Sequence, residues 1–207
     1  MTGTRRRSAW RTIGLTLVGL ACILPLTGCF VIPLVDNRSP FDDPFGASRA
    51  DIANALPVVQ EALDQVGTQD GLWRYEAERG QDNCEGACDL RVEVRIVPVG
   101  DPSAYPEADP EGDPTMVVVP EQVLRDVLVA AVPAAEGQRV DVRVLAGDVD
   151  DLRSDLDEAV ETVFGPLPDD GLYEEAFSVV RGFSPGDAAI SARTRDHEGV
   201  LDAMGLT

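Results

Sequence analysis

Two stretches of this chain alternate strictly between apolar and charged side chains, and together they restrict the fold more than any other feature. From Leu90 to Val99, the residues Leu90, Val92, Val94 and Ile96 alternate with Arg91, Glu93 and Arg95; from Arg139 to Leu145, Val140, Val142 and Val144 alternate with Arg139, Asp141 and Arg143. Successive side chains of an extended strand point to opposite faces, so each stretch predicts a half-buried strand with one apolar and one charged face. Placed in one sheet, the charges of the two strands could pair. Between them Val123, Leu124, Val127, Leu128 and Ala131 recur at helical spacing after Pro120, and this helix is expected to close near Pro133. A strand-helix-strand unit of this kind crosses right-handed.

The remaining elements follow from the same reading. Ser48 and Asp51 stand in the S-x-x-D relation of a capping box, after which Ile52, Leu56, Val59, Leu63 and Val66 hold a helical period as far as Gly67. Pro57 falls inside this helix, which therefore kinks or properly starts there. Leu72 to Arg79 predicts a strand hairpinned to the next through a turn containing Cys84 and Cys88. Leu152, Leu156, Val160 and Val163 mark a third helix ending at Gly165; Tyr173 to Arg181 reads as a strand, and Ala188 to Arg193 as a short further one. The order α-β-β-α-β-α-β, extended by that last strand if it joins the sheet, gives an α+β class: a two-layer sandwich with three helices on one face of a mostly antiparallel sheet. The single domain spans residues 48–207, and the Asp- and Pro-rich residues 29–47 form a tether.

Two segments resemble each other. Glu61-Ala62-Leu63 leading to Asp70-Gly71-Leu72-Trp73 matches Glu158-Ala159-Val160 leading to Asp170-Gly171-Leu172-Tyr173, each a helix, a turn and a strand. Either a helix-strand unit is duplicated, or Asp-Gly has been used twice because it suits tight bends.

The chain opens with Arg5, Arg6, Arg7 and Arg11 and no acid, then runs apolar from Ile13 to Leu26, the order of a secretory signal. It closes on Leu26-Thr27-Gly28-Cys29, which resembles the lipobox of bacterial lipoproteins. The resemblance covers these leading residues only. It implies cleavage after residue 28, diacylation of Cys29 and a domain anchored by lipid to the outer face of the cell membrane. Apolar residues continue through Val35, long enough for an uncleaved membrane helix; Pro25 and Pro33 count against that alternative, since each removes a backbone donor.

Charge excludes whole classes of partner. The formal net charge is −20, every fixed cation is an arginine, and loss of the four leading arginines moves the charge to −24. Nucleic acid is not expected as a partner, because no basic face exists to neutralise phosphates. Anionic lipid headgroups should repel the domain within a Debye length of roughly 8 Å, so a lipid must hold it at the membrane. The absence of lysine closes Schiff-base chemistry, Ser-Lys dyads and phosphate loops of the G-K-S/T type.

Few residues are candidates for chemistry. In an oxidising compartment Cys84 and Cys88 are expected to pair; so short a loop yields only about 2 kcal/mol, enough to pin a hairpin tip. The single histidine, His197, lies among charges near the C-terminus and reads as solvated. Asp101, Asp109, Glu111 and Asp113 lie in a proline-rich acidic loop where oxygen ligands could hold calcium, but the spacing matches no EF-hand, so a solvated loop is the expectation and no cofactor is implied. Trp73, Tyr75 and Tyr173 are the first candidates for a ligand-contact face, although strand aromatics usually fill cores. The expected function is a non-enzymatic binding or structural module of the envelope, with its protein or polymer partner unspecified. The rival is a carboxylate-dependent hydrolase of wall polymers, which needs two acids about 5–10 Å apart in an aromatic-lined cleft.

Overall fold

A computed structural model describes residues 46–67, 71–81, 89–100, 104–105, 115–150, 152–168, 171–181, 188–193 and 197–206. Helix α1, Arg49–Asp64, begins with the expected capping box: the Ser48 hydroxyl accepts from the Asp51 N–H at 3.1 Å, and the Asp51 carboxylate accepts from the Ser48 N–H at 2.8 Å. Two orphan donors of the first turn are thus satisfied reciprocally. The helix runs through Pro57, which is exposed.

Strands β1, Trp73–Gln81, and β2, Leu90–Pro98, form an antiparallel pair. A short β3, Met116–Val118, then precedes helix α2, Glu121–Glu136. This helix continues past Pro133 rather than closing there; Pro133 and Val129 both lie on its exposed side, where water can hydrate the carbonyl that proline leaves without a donor. Strand β4, Val142–Ala146, lies parallel to β2 with Glu93 directly opposite Arg143, so the two charged faces meet in register.

The expected third helix is two elements. Its first residues form β6, Leu152–Asp155, antiparallel to β5, Asp148–Val149, and parallel to β3; only Asp157–Phe164 is helical, as α3. Burial explains the misreading, because Leu152, Ser154 and Leu156 alternate inward at period two and Leu156 then also starts the helical set with Val160. A buried serine breaks an apolar alternation. The predicted strand from Tyr173 to Arg181 is likewise a hairpin of β7, Leu172–Tyr173, and β8, Phe177–Val180, tightened by the Glu174 N–H donating to the Phe177 carbonyl. The short last strand is present as β9, Ala189–Ala192, and an unforeseen helix α4, His197–Ala203, follows it.

The fold is α+β. A six-stranded sheet runs β1-β2-β4-β9-β8-β7, mostly antiparallel with β2 and β4 its parallel pair, and a second sheet runs β3-β6-β5. Helix α1 packs against α2 and over β1 and β2, α2 lies over β4, and α3 and α4 dock on α2. Val92, Val94, Ile96, Val142, Val144 and Ile190 meet Val59, Leu63, Leu124 and Leu128 in an apolar core. The sheets are joined at Ser154, whose buried hydroxyl accepts from the Gly147 N–H at 2.7 Å and has one proton to share between the Gly147 and Ile96 carbonyls at 2.7 and 2.9 Å. A Cβ at Gly147 would sit 2.7 Å from Val97, so only glycine allows this approach. Among the described residues no helix is long and apolar enough to cross a membrane.

Candidate binding surfaces

The three aromatic candidates do not share a face. Trp73 and Tyr75 are 2% and 6% exposed and belong to the core, whereas Tyr173 is 64% exposed on β7, at the opposite edge of the sheet. The difference is one of cover: α1 lies over the apolar face of β1, and among the described residues no helix covers the Tyr173 ring in the same way. Trp73 packs edge-on against Tyr105, with centroids 5.3 Å apart. The Tyr105 hydroxyl accepts from the Val99 N–H at 2.5 Å and lies beside the Leu72 and Val99 carbonyls, tying the strand ends together. Burial raises the Tyr105 phenol above its ordinary value, and the Val99 backbone partly offsets this.

Among the described residues Tyr75 has no such partner. Its hydroxyl is buried, and burial first, then the Asp126 carboxylate, pushes its phenol up. Asp126 lies on α2 and forms one wall of an open groove of about 390 Å³ between the helices, with Ala62 of α1, Gln65 and Val66 just past its end, and Val129 and Ala130 of α2 completing it. Val129, 44% exposed, stands in that groove, and Val58, 39% exposed, lies on α1 one turn before Ala62.

A second surface is the face of the sheet away from the helices. Register places Glu78, Glu93, Arg143, Ser191, Ser178 and Tyr173 in one row across all six strands. The β1–β2 end of the row is a charge lattice. Arg95 contacts Glu78 and, at 3.8 Å, Glu93, while Arg91 lies 3.4 Å from Glu93. The hydrogen bond to Glu78 raises the Arg95 guanidinium further, with burial opposing. The β9–β7 end carries two hydroxyls and the exposed tyrosine ring. Alternation in the sequence revealed the charged residues, but their alignment with serines and Tyr173 depends on strand order.

His197, expected to be solvated, is partly buried. It opens α4, and its Nδ1 lies 2.5 Å from the Glu136 carboxylate at the end of α2; at the other end of α4, Arg125 donates to the Met204 carbonyl at 2.5 Å. These two contacts fasten α4 to α2. Cys29, Cys84 and Cys88, and Asp101, Asp109, Glu111 and Asp113, lie outside the described residues. Among the described residues no group of three or more histidine, cysteine or acidic side chains is placed to hold a metal ion.

Compared with known proteins, the chain matches no family model, no curated sequence and no solved structure.

Proposed function

We propose that this protein is a lipid-tethered, non-enzymatic binding module on the extracytoplasmic face of the cell membrane. One observation carries the tether: an arginine-led apolar run that closes on Leu26-Thr27-Gly28-Cys29. Binding is favoured over wall-polymer hydrolysis by the placement of acids and aromatics. Glu78 and Glu93 face each other across β1 and β2, but Arg95 contacts both. Trp73 and Tyr75 turn to the opposite side of the sheet, into the core, so they cannot wall a sugar cleft around that acid pair.

Intact mass of the protein extracted from its native membrane, beside a Cys29→Ala variant, tests the tether. Loss of residues 1–28 with a diacylglycerol-sized addition, both absent from the variant, is the expected result. An unprocessed wild-type mass overturns it and turns the segment through Val35 into a membrane helix.

A further inference from the structure

Helices α1 and α2 pack on one side of the six-stranded sheet, and the row from Glu78 to Tyr173 crosses its other side. Five inter-strand steps of about 4.8 Å make that row roughly 24 Å long. Two glycines keep it shallow. A Cβ at Gly80 would overlap the Glu93 side chain, and one at Gly171 would lie 3.3 Å from the Tyr173 ring, so both side chains settle back onto the sheet.

This face is close to neutral on a chain of net charge −20. Each carboxylate of β1 and β2 on this side has an arginine against it: Glu76 lies 2.8 Å from Arg74, Glu78 meets Arg95, and Glu93 meets Arg91 and Arg95. The outer pairs are within reach of a ligand, with the Arg74, Glu76, Arg95 and Glu78 side chains between 41% and 53% exposed. Such a pair presents N–H donors beside carboxylate acceptors, and a hydroxyl, which both donates and accepts, can bridge them. Across the sheet Ser191 and Ser178 supply hydroxyls and Tyr173 a largely exposed ring. Of the described large hydrophobic residues that are exposed, Tyr173 alone stands on this face.

We propose that this face binds an uncharged polysaccharide chain laid across the strands, one sugar ring stacked on Tyr173 and its neighbours' hydroxyls bridging Ser178, Ser191 and the ion pairs of β1 and β2. A pyranose has an apolar face to offer the tyrosine ring and a rim of hydroxyls to offer the polar groups, and each unit is about as long as one inter-strand step. The twist of the sheet turns the row along its length, so a flexible single chain follows it and a rigid crystalline surface does not. The net charge of the domain opposes an anionic polymer, and a cationic one would be drawn to its acidic residues without regard to this face. The inference rests on the reading of this chain as a binding module, names the class of its ligand, and is independent of the lipid anchor.

The test titrates the full chain in zwitterionic nanodiscs with two neutral probes, the β-1,4-linked hexamers of glucose and of N-acetylglucosamine, by calorimetry with empty discs subtracted. Saturable binding to at least one is expected, unchanged by added salt up to about 0.5 M, since the ligand carries no charge to screen. Tyr173→Ala should weaken it at least about tenfold and Tyr173→Phe hardly at all, because the ring carries the stack. Ser178→Ala and Ser191→Ala should each weaken it about threefold. A dimer of the same sugar should bind at least about tenfold more weakly than the hexamer, and Glu198→Gln on α4 should change nothing. No saturable binding to either hexamer, binding insensitive to Tyr173→Ala, or equal affinity for dimer and hexamer each overturns the inference, the last by reducing the row to a single stacking site. Tighter binding of the cationic glucosamine hexamer would overturn it in favour of unspecific attraction to acidic residues, and saturation by an uncharged Ser/Gln peptide in place of the sugars would assign the face to a protein. Cleavage of a hexamer during the titration would instead overturn the non-enzymatic reading on which the inference rests.

Discussion

At one edge of the six-stranded sheet, Gly71-Leu72-Trp73 leads out of a turn into the nine-residue β1; at the other, Gly171-Leu172-Tyr173 leads into the two-residue β7. Both glycines adopt positive φ, 78° and 85°, both turns follow a helix, and both strands then pair antiparallel with the next. Beyond that the edges diverge. Trp73 is sealed under α1 with Tyr105 against it, whereas Tyr173 lies open to solvent. The long β1 edge is also guarded: the Gln60 side chain donates to the Tyr75 carbonyl at 3.0 Å and accepts from the Ala77 N–H at 2.8 Å, standing in for a neighbouring strand. Edge β7 is too short to need a guard. Similar local sequence therefore fixes similar turns, and the cover laid over each turn fixes what its aromatic does.

The sharpest way to break this comparison is to truncate both aromatics. Trp73→Ala should cost about 3–5 kcal/mol, as for a large ring removed from a packed core, read as a fall in the urea midpoint at unchanged slope. A loss below about 1 kcal/mol would show that the β1 edge is not built around this ring.

The glycines come next. A Cβ at Gly171 would lie 2.8 Å from the Val179 carbonyl oxygen, while one at Gly71 meets nothing within 4 Å. Gly171→Ala should therefore add a steric clash to left-handed strain, on the order of 3 kcal/mol, and Gly71→Ala only the strain, about 1 kcal/mol. Equal losses in thermal or urea unfolding would mean that the two turns are energetically alike. Gln60→Ala should cost about 1–2 kcal/mol, from two hydrogen bonds to backbone groups. It should also introduce concentration-dependent association through the bared edge of β1, visible by sedimentation; a variant that stays monomeric would assign edge protection to Glu76 and Glu78 instead. The smallest effect belongs to Tyr173→Ala, within about 0.5 kcal/mol. A larger loss would reveal packing that its exposure does not suggest.

Legibility followed the apolar periodicity. The capping box of α1, the alternation of β2 and β4, and the body of α2 could be read directly, since each buries a continuous apolar set. The misread segment 152–164 failed because the chain changes period at Leu156, a residue that serves both the strand and the helix, and because Ser154 is buried for its hydroxyl rather than for apolar area. The groove between α1 and α2 was illegible, since its valines and alanines scan as ordinary helix residues until two helices are set side by side. The same holds for His197, whose partner Glu136 is distant in sequence.

By itself the sequence determined the class of the fold, the turns at Gly71 and Gly171 and the acidity of the surface, because these depend on local dihedral preference, periodic burial and summed charge. Tertiary structure alone decided that Trp73 is core and Tyr173 surface, that Glu93 meets Arg143, and that the Asp126 charge acts on the buried Tyr75 phenol. Each of those outcomes depends on which element lies over or beside another, and that choice is made by the chain as a whole when it buries its apolar surface.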